Sequence, residues 1–442
     1  SNNTITDGKE MGIYASGSKV AINSNKITNS ANNGIYVKGG SGSIKKNTIK
    51  TTKAGSGIYL VKKAKISEIS KNKITSPKEN GIYVKSSTAT SVLNNTVEKA
   101  GTRGISFSGA TSDKVNGNTV TSPKQDGIYV SEKSTVKVIG EKKDTGNTVT
   151  GAGANGICLK EGTTVSKVCY NTVKTSKSAN VRAEKVKGTL TVSNNTLASA
   201  KKQGISAANT KVKITSNKIT KSTTYGIYLE GKSNNATVQK NTVDTVSKGN
   251  GIRVCDGKAT VTENTIKKTK TQGIYIVKGT VTIGGDNKVT GAGQKALVIK
   301  GGTTYMTSGN AKMLLKSGKL IVQGAVSSSR TTITIPDKVK IGDVSYKVTE
   351  IADKAFKGNK KVKTLTIGSN ISKIGKSSFD GCKNLKTITI NTTKLTAKKV
   401  GDKAFYGIGS KCTVKVPSNK VSAYKKLLKD KGAASAIKVV KK

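Results

Sequence analysis

The stretch Asn80-Gly81-Ile82-Tyr83-Val84 decides how this chain is organised, because versions of it return along most of the sequence. The two closest copies are Asn33-Gly34-Ile35-Tyr36-Val37 and Asp126-Gly127-Ile128-Tyr129-Val130. The Gly position of the strict and degenerate copies, taken by Asn at 180, falls at residues 12, 34, 57, 81, 104, 127, 156, 180, 204, 226, 251 and 273, in steps of 22 to 25 residues with one step of 29. Such fixed self-similarity predicts a repeat architecture.

A second phrase, Asn followed two residues later by Ile, Val or Leu, keeps the same pace. It begins at Asn3 and then at positions 25, 47, 72, 95, 118, 147, 171, 195, 217, 241, 264 and 287. We predict that these asparagines form an internal ladder at one corner, each amide bonding the next coil. Asn tolerates the left-handed conformation that a tight corner needs, so we expect it to adopt that conformation here.

A repeat of this length is compatible with a leucine-rich repeat, a β-helix coil or two short helices. In Gly81-Ile82-Tyr83-Val84 the apolar residues Ile82 and Val84 are two apart and share one face, while Tyr83 points the other way. No helical stripe crosses a repeat, and Ile, Val, Tyr and Thr dominate. The sequence therefore predicts an all-β solenoid with about three short strands per coil, stacked as parallel strands.

This pattern resembles the right-handed parallel β-helix family, the pectate-lyase-like superfamily, over residues 1–300. The thirteen Asn phrases imply about 13 coils. The family includes polysaccharide lyases, uronan epimerases, glycoside hydrolases, phage tailspikes and non-catalytic adhesins. Since Ser1-Asn2-Asn3-Thr4-Ile5 already lies inside a repeat, we expect an N-terminal cap to be missing.

The rest of the chain changes character. Residues 301–330 lose the Gly-Ile-Tyr phrase and are expected to be a closing coil and linker. In residues 331–442, the copies around Phe356, Phe379 and Phe405 resemble BspA-type leucine-rich repeats, which places these rings in the core. Ser418 is expected to cap a C-terminal helix, and Ile437-Lys438-Val439-Val440 a last strand. The resemblance implies a secreted or surface-attached bacterial protein.

The charge is strongly positive: 78 basic minus 24 acidic residues gives +54, and only four of the basic residues are Arg. Such a Lys coat predicts non-specific, salt-sensitive binding of polyanions, for example an acidic polysaccharide or cell-wall polymer. A solvated surface that blocks edge pairing explains the lysines equally well. No apolar run is long enough for a transmembrane segment, and we expect a monomer.

The amino-acid composition limits the catalytic and metal-binding chemistry that this chain can carry out. The chain has no His, and its five Cys match no metal-binding spacing, so we expect no metal, no cofactor and no His-based catalysis. Lyases of the resembling family need clustered carboxylates, and its epimerases an essential His. The sequence favours a non-catalytic, adhesin-like protein that binds acidic glycans, cell-wall polymer or a host surface protein. A polysaccharide lyase or glycoside hydrolase acting on an acidic polysaccharide remains the alternative.

Two groups of outward residues are candidate binding sites. Tyr14, Tyr36, Tyr59 and Tyr83 occupy the Tyr position of four consecutive coils and predict an aromatic ladder. It suits sugar rings or a partner protein, although cross-strand packing alone would also explain it.

The second group is built on Arg182 and Arg253, which take the same Tyr position in later coils. Arg grips a carboxylate or sulfate with a planar fork. Tyr228 takes the same position in a coil between them. Glu184 lies two residues after Arg182, and Glu230 lies two residues after Tyr228. These five residues form the predicted binding cluster. The alternative is an outward ladder of ion pairs.

Overall fold

The computed structural model describes residues 1–232 and 235–442. They divide into two compact units. The first comprises Ser1–Ala259, Asn264–Gly279 and Val289–Lys300; the second comprises Thr260–Glu263, Thr280–Lys288 and Gly301–Lys442.

The repeating part of the chain forms parallel sheets, as the period-two pattern predicts. Each strand of sheet 1 begins directly after the asparagine of an Asn phrase, and the sheet has 13 strands. Its strands are Thr4–Thr6, Lys26–Ser30, Thr48–Thr52, Lys73–Pro77, Thr96–Glu98, Thr119–Thr121, Thr148–Thr150, Thr172–Lys174, Thr196–Ala198, Lys218–Ser222, Thr242–Val246, Thr265–Thr269 and Lys288–Ala292.

Sheet 2 carries the Gly-Ile-Tyr phrase and also has 13 strands. Its strands are Ile13–Ser16, Ile35–Lys38, Ile58–Val61, Ile82–Lys85, Ile105–Ser108, Ile128–Ser131, Ile157–Leu159, Val181–Glu184, Gln203–Ala208, Tyr225–Glu230, Asn250–Val254, Ile274–Ile276 and Leu297–Ile299.

A third strand completes each coil. These strands are Lys19–Asn23, Ser41–Lys45, Lys65–Ser70, Thr88–Leu93, Thr111–Asn116, Thr135–Ile139, Thr164–Cys169, Thr189–Ser193, Lys211–Thr215, Asn235–Gln239, Lys258–Thr262, Thr280–Gly284 and Thr303–Ser308. The 29-residue step holds a loop with a short 3-10 helix, Lys143–Thr145.

The shared register of the Gly-Ile-Tyr copies predicts that their isoleucines form one buried stack, and this is confirmed for all members but the partly exposed Ile13. Ile13, Ile35, Ile58, Ile82, Ile105 and Ile128 pair in register through sheet 2, and the column continues to Ile227 and Ile274. Ile82 has no exposed surface. The glycine before each isoleucine is needed for close approach: a Cβ on Gly81 would lie 2.3 Å from Val97 Cγ1 and 2.6 Å from the Gly104 carbonyl oxygen.

The predicted asparagine ladder is confirmed from Asn3 to Asn264, although its conformational explanation is wrong. Each amide nitrogen donates to the next amide oxygen, at 2.9 Å from Asn72 to Asn95. The left-handed residue is the one before the asparagine, such as Ser24 or Lys71, each with φ 55°. The asparagines are therefore selected for their buried hydrogen bonds.

The second unit contains a different architecture. After Thr303–Ser308, the strands Ala311–Lys316 and Lys319–Ala325 form an antiparallel meander. The segment expected to be a closing coil and linker thus contains strands that pair with their neighbours, because alternating apolar residues such as Met313 and Leu320 point to one buried side.

The leucine-rich part is built on a five-stranded parallel sheet of Thr332–Ile335, Thr364–Ile367, Thr387–Ile390, Thr413–Val416 and Lys438–Lys441. The other elements are strands Lys338–Ile341, Val344–Ile351 and Lys373–Ile374, 3-10 turns Ala397–Lys399 and Ser418–Lys420, and the α-helix Val421–Asp430. Phe356, Phe379 and Phe405 stack in the core, as predicted, with ring centroids 5.4 and 5.5 Å apart.

The C-terminal helix and the last strand are both present. The predicted cap is wrong, because Ser418 lies in a 3-10 turn after Pro417 and Lys420 occupies the N-cap position.

Candidate functional site

One outward column of sheet 2 contains most of the candidate residues. In register from coil to coil it reads Tyr14, Tyr36, Tyr59, Tyr83, Ser106, Tyr129, Cys158, Arg182, Ser206, Tyr228, Arg253, Tyr275 and Val298. The neighbouring residues of the same strands point inward and, apart from Ile13, Ala15 and Ile299, are buried. Except at the buried Ser106 and Cys158, the column is therefore a line of side chains that the core does not dictate.

The first four members stack, and we call them the tyrosine ladder. Ring centroids are 5.7 Å apart for Tyr14 and Tyr36, 5.3 Å for Tyr36 and Tyr59, and 4.9 Å for Tyr59 and Tyr83. The outer pairs are parallel and the middle pair meets edge to face. Burial, reinforced by the neighbouring phenols, raises the pKa of Tyr59 to about 12. Tyr14 is 54% exposed.

Arg182 is already engaged with a carboxylate. Its Nη2 lies 3.5 Å from Glu184 Oε2, and Lys160 Nζ lies 2.8 Å from the same oxygen. The hydrogen bond from Lys160 lowers the pKa of Glu184 and raises that of Lys160. The arrangement is an ion-pair cluster with two cations on one carboxylate.

Arg253 has different surroundings. Its guanidinium lies 5.3 Å from the ring centroid of Tyr225 and 5.0 Å from that of Tyr275. Its Nε donates to Cys255 Sγ at 3.4 Å. Within the part of the chain that the structure describes, no carboxylate forms an ion pair with it. Two aromatic faces hold this cation, and its planar fork is not used by an internal acid.

The predicted cluster is not brought together as one site. Ser206 and Tyr228 lie between Arg182 and Arg253 in the column, so the arginines are three strands, or roughly 14 Å, apart. Glu184 and Glu230 face the same way but are separated by Ala208. Tyr228 stacks on Tyr225, with centroids 5.0 Å apart. Arg253 and Tyr228 therefore belong to one neighbourhood, and Arg182 and Glu184 to another.

An open cleft of about 600 Å³ lies beside Arg253. We call it the Arg253 cleft. Its lining residues are Tyr225, Lys248, Gly249, Asn250, Arg253, Thr271, Gln272, Tyr275, Gln294, Lys295, Val298 and Lys300. Among these described residues four carry a positive charge and none is acidic. Asn250 donates to Gln272 at 2.6 Å, and Gln272 donates to Gln294, so three amides form one wall.

The cysteines and carboxylates form no further centre in the described ranges. All five cysteines are free. Cys158 takes the outward Tyr position of the repeated phrase but is buried between its neighbours in the column, and this burial raises the pKa of its thiol to about 12. No group of three potential metal ligands occurs in residues 1–232 and 235–442.

Sequence reasoning missed most of the cleft. Tyr225 takes the position directly before the Gly of the repeated phrase, where other coils have Asn33, Asn80 or Asp126. That exchange of a small polar residue for an aromatic one was a visible signal. The lysines gave none, because Lys248, Lys295 and Lys300 look like the rest of the Lys coat.

Comparison with known protein families shows which families the two repeat regions match. Residues 1–142 and 143–312 match the right handed beta helix region. The chain belongs to this family. Residues 349–439 match the BspA type leucine rich repeat region, in six copies, and this match lies within the residues 331–442 that the sequence assigns to such repeats. Comparison with curated proteins gives no match.

Among solved structures, the catalytic domain of a GH87 alpha-1,3-glucanase in complex with nigerose is similar, with a TM-score of 0.39 and 11% identity. The alignment covers 66% of this chain and 60% of the glucanase domain. A variant of that domain, also with nigerose, gives a TM-score of 0.36 at the same identity. At this level the likeness concerns the fold alone.

None of the helices in the described ranges has the length and apolar character of a membrane span.

Proposed function

We propose that this right-handed β-helix protein is a secreted or surface-attached bacterial protein that binds an acidic polysaccharide or cell-wall polymer as a monomer, with the Arg253 cleft as its specific site. The observation that carries the proposal is Arg253 itself. Two tyrosine rings orient its guanidinium, and no acidic group of the cleft lining competes for it.

The lining of the cleft suits an anionic sugar. The faces of Tyr225 and Tyr275 offer apolar contact to a pyranose ring. Asn250 Nδ2 already donates to Thr271 and to Gln272, so the Asn250 amide oxygen offers an acceptor and the second N–H of Gln272 a donor to hydroxyl groups. Arg253 offers a bidentate grip on a carboxylate, and the lysines add charge. Apolar faces combined with a few placed polar groups are typical of ligand sites.

The +54 charge contributes in a different way. It attracts any polyanion over a distance set by ionic strength, and it confers no selectivity. Specific binding therefore has to come from the few groups with fixed geometry. The BspA-type repeats support a location at the cell surface, where such polymers are found.

The test compares two arginines of one column. Arg253→Lys keeps the charge and loses the fork, so binding of polygalacturonate at about 0.15 M salt should weaken by about 1 kcal/mol or more. Arg182→Lys is the matched control and should bind like the parent, because the Arg182 guanidinium already forms an ion pair with Glu184. Lys26→Gln with Lys73→Gln, both exposed on sheet 1, should only flatten the salt dependence.

Dextran sulfate and uncharged dextran complete the comparison. If Arg253→Lys binds polygalacturonate as the parent does, the cleft is not the site and binding is diffuse electrostatics from the lysines. If incubation with polygalacturonate releases reducing or unsaturated ends, and a point substitution abolishes that release, the protein is a hydrolase or lyase instead.

A further inference from the structure

We infer that the tyrosine ladder, Tyr14, Tyr36, Tyr59 and Tyr83, is a second binding surface, which takes an uncharged chain of pyranose sugars along the coil axis. This surface lies in the first four coils and shares no residue with the Arg253 cleft. The inference is independent of the function proposed above, since it needs neither Arg253 nor an acidic ligand.

The fold does not require aromatic rings at these positions. Ser206 occupies the same register in a coil whose inner residues, Ile205 and Ala207, are buried aliphatic side chains. The inner side of the ladder strands is already filled, because Ile58 and Leu60 have no exposed surface. Four consecutive tyrosines are therefore not explained by burial of the core.

The borders of the ladder carry both signs of charge. On one side Ser56 Oγ donates to Glu79 Oε2 at 3.4 Å, and Asn80 Nδ2 lies 3.5 Å from Ser56 Oγ. On the other side lie Lys38 and Lys85, two residues beyond their tyrosines. The strip thus has aromatic rings between two hydrogen-bonding edges, with a carboxylate on one edge and ammonium groups on the other. A neutral sugar, which has an apolar ring face and polar hydroxyl edges, matches this arrangement.

The shape favours a linear ligand over a protein. A standard protein interface buries about 800 Å² per partner. A tyrosine offers about 150–250 Å² when fully exposed, and Tyr36, Tyr59 and Tyr83 are half-buried against each other. The ladder is one ring wide and four coils long, so its exposed area is too small for such an interface. It suits a chain that lies across successive rings.

The experiment titrates the full chain with cellohexaose, laminarihexaose and maltohexaose by isothermal calorimetry, at about 0.15 M and about 1 M salt. At least one of these neutral sugars should bind with a Kd of about 1 mM or tighter. Its affinity should not change with salt, because no ion pair is formed. Tyr36→Ser with Tyr59→Ser should weaken binding about tenfold or more, as expected for two lost aromatic contacts.

Three controls make the result decisive. Tyr129→Ser changes the same column, but the Tyr129 ring is covered by the Arg103 guanidinium at 3.8 Å, so this variant should bind like the parent. Tyr36→Phe keeps the ring and should also bind like the parent, which separates ring loss from loss of folding. Arg253→Lys should leave neutral-sugar binding unchanged.

The inference is overturned if none of the three sugars binds the parent, or if the double Ser variant binds as the parent does. It is also overturned if Tyr129→Ser weakens binding as much as the double variant. Failure of the polygalacturonate test would leave this inference standing, and the reverse also holds.

Discussion

The asparagine ladder allows a stability prediction that can be worked out atom by atom at Asn72. The Asn72 Oδ1 accepts from the Asn47 backbone N–H and from Asn47 Nδ2, both at 2.9 Å. The Asn72 Nδ2 donates to the Ile44 carbonyl at 3.0 Å and to Asn95 Oδ1 at 2.9 Å. Asn72→Ala removes all four bonds in a side chain that is 1% exposed.

The magnitude follows from which groups keep a partner. Asn47 Nδ2 still donates to the Ile22 carbonyl at 2.8 Å, and Asn95 Oδ1 still accepts from the Asn72 backbone N–H at 3.1 Å. The Asn47 backbone N–H loses its acceptor in a buried place, which costs about 1–3 kcal/mol. With the other lost bonds, we expect Asn72→Ala to lower the free energy of unfolding by about 2–5 kcal/mol.

The matched control is Asn32→Ala. Asn32 is exposed, and its Oδ1 accepts one bond, from Asn33 Nδ2 at 3.1 Å. Its substitution should change stability by about 0.5 kcal/mol or less. Urea unfolding followed by far-ultraviolet circular dichroism suits a chain without Trp, and hydrogen exchange of peptides around Asn47 reports the local effect. A difference below about 1 kcal/mol between the two variants would refute the reasoning.

Two further predictions concern the buried interior. Ile82→Asp should destabilise the first unit by roughly 3 kcal/mol or more in the same urea assay, because a carboxylate enters a dry column; a conservative Ile82→Val should cost far less. Iodoacetamide at pH 8 should label the partly exposed Cys255 but label Cys158 only after unfolding. The reagent reacts with the thiolate, which forms as the pH rises towards the pKa of the thiol, and burial raises the pKa of Cys158 to about 12. Equal labelling of the two cysteines in the folded protein, measured by mass spectrometry, would contradict this prediction.

The fold was predictable because it repeats. The alternation in Gly81-Ile82-Tyr83-Val84 marks one face as buried, and a dozen copies in step leave parallel stacking as the consistent arrangement. The position of the left-handed residue was not predictable in this way. It falls on the residue before the ladder asparagine, and residues as different as Ser24 and Lys71 adopt it. Backbone geometry at the corner imposes this conformation, so composition does not reveal it.

The candidate site was only partly predictable, for a reason that Arg182 and Arg253 illustrate. Both replace Tyr in one column, so the repeat treats them alike. The residue two positions later separates them: Glu184 follows Arg182 and pairs with it, whereas Cys255 follows Arg253. Period-two reasoning could have seen this difference. It could not have seen Tyr225, Gln272 and Gln294 meeting beside Arg253, since they come from three different coils, Tyr225 from the start of a strand and the two glutamines from turns.

The difference between the inner and the outer residues of sheet 2 explains how one solenoid can carry two surfaces with different chemistry. The inner residues of sheet 2 are fixed by zero exposure, as at Ile82 and Ile128, and by glycines with no room for a Cβ. Apart from the buried Ser106 and Cys158, the outer column is free of both constraints, and it changes from four tyrosines to a mixture of Ser, Cys and Arg without a change in register. Substitutions there alter ring faces and charge while the coil beneath stays intact. The tyrosine ladder and the Arg253 cleft can therefore be changed one at a time, and each can be tested while the other serves as its internal control.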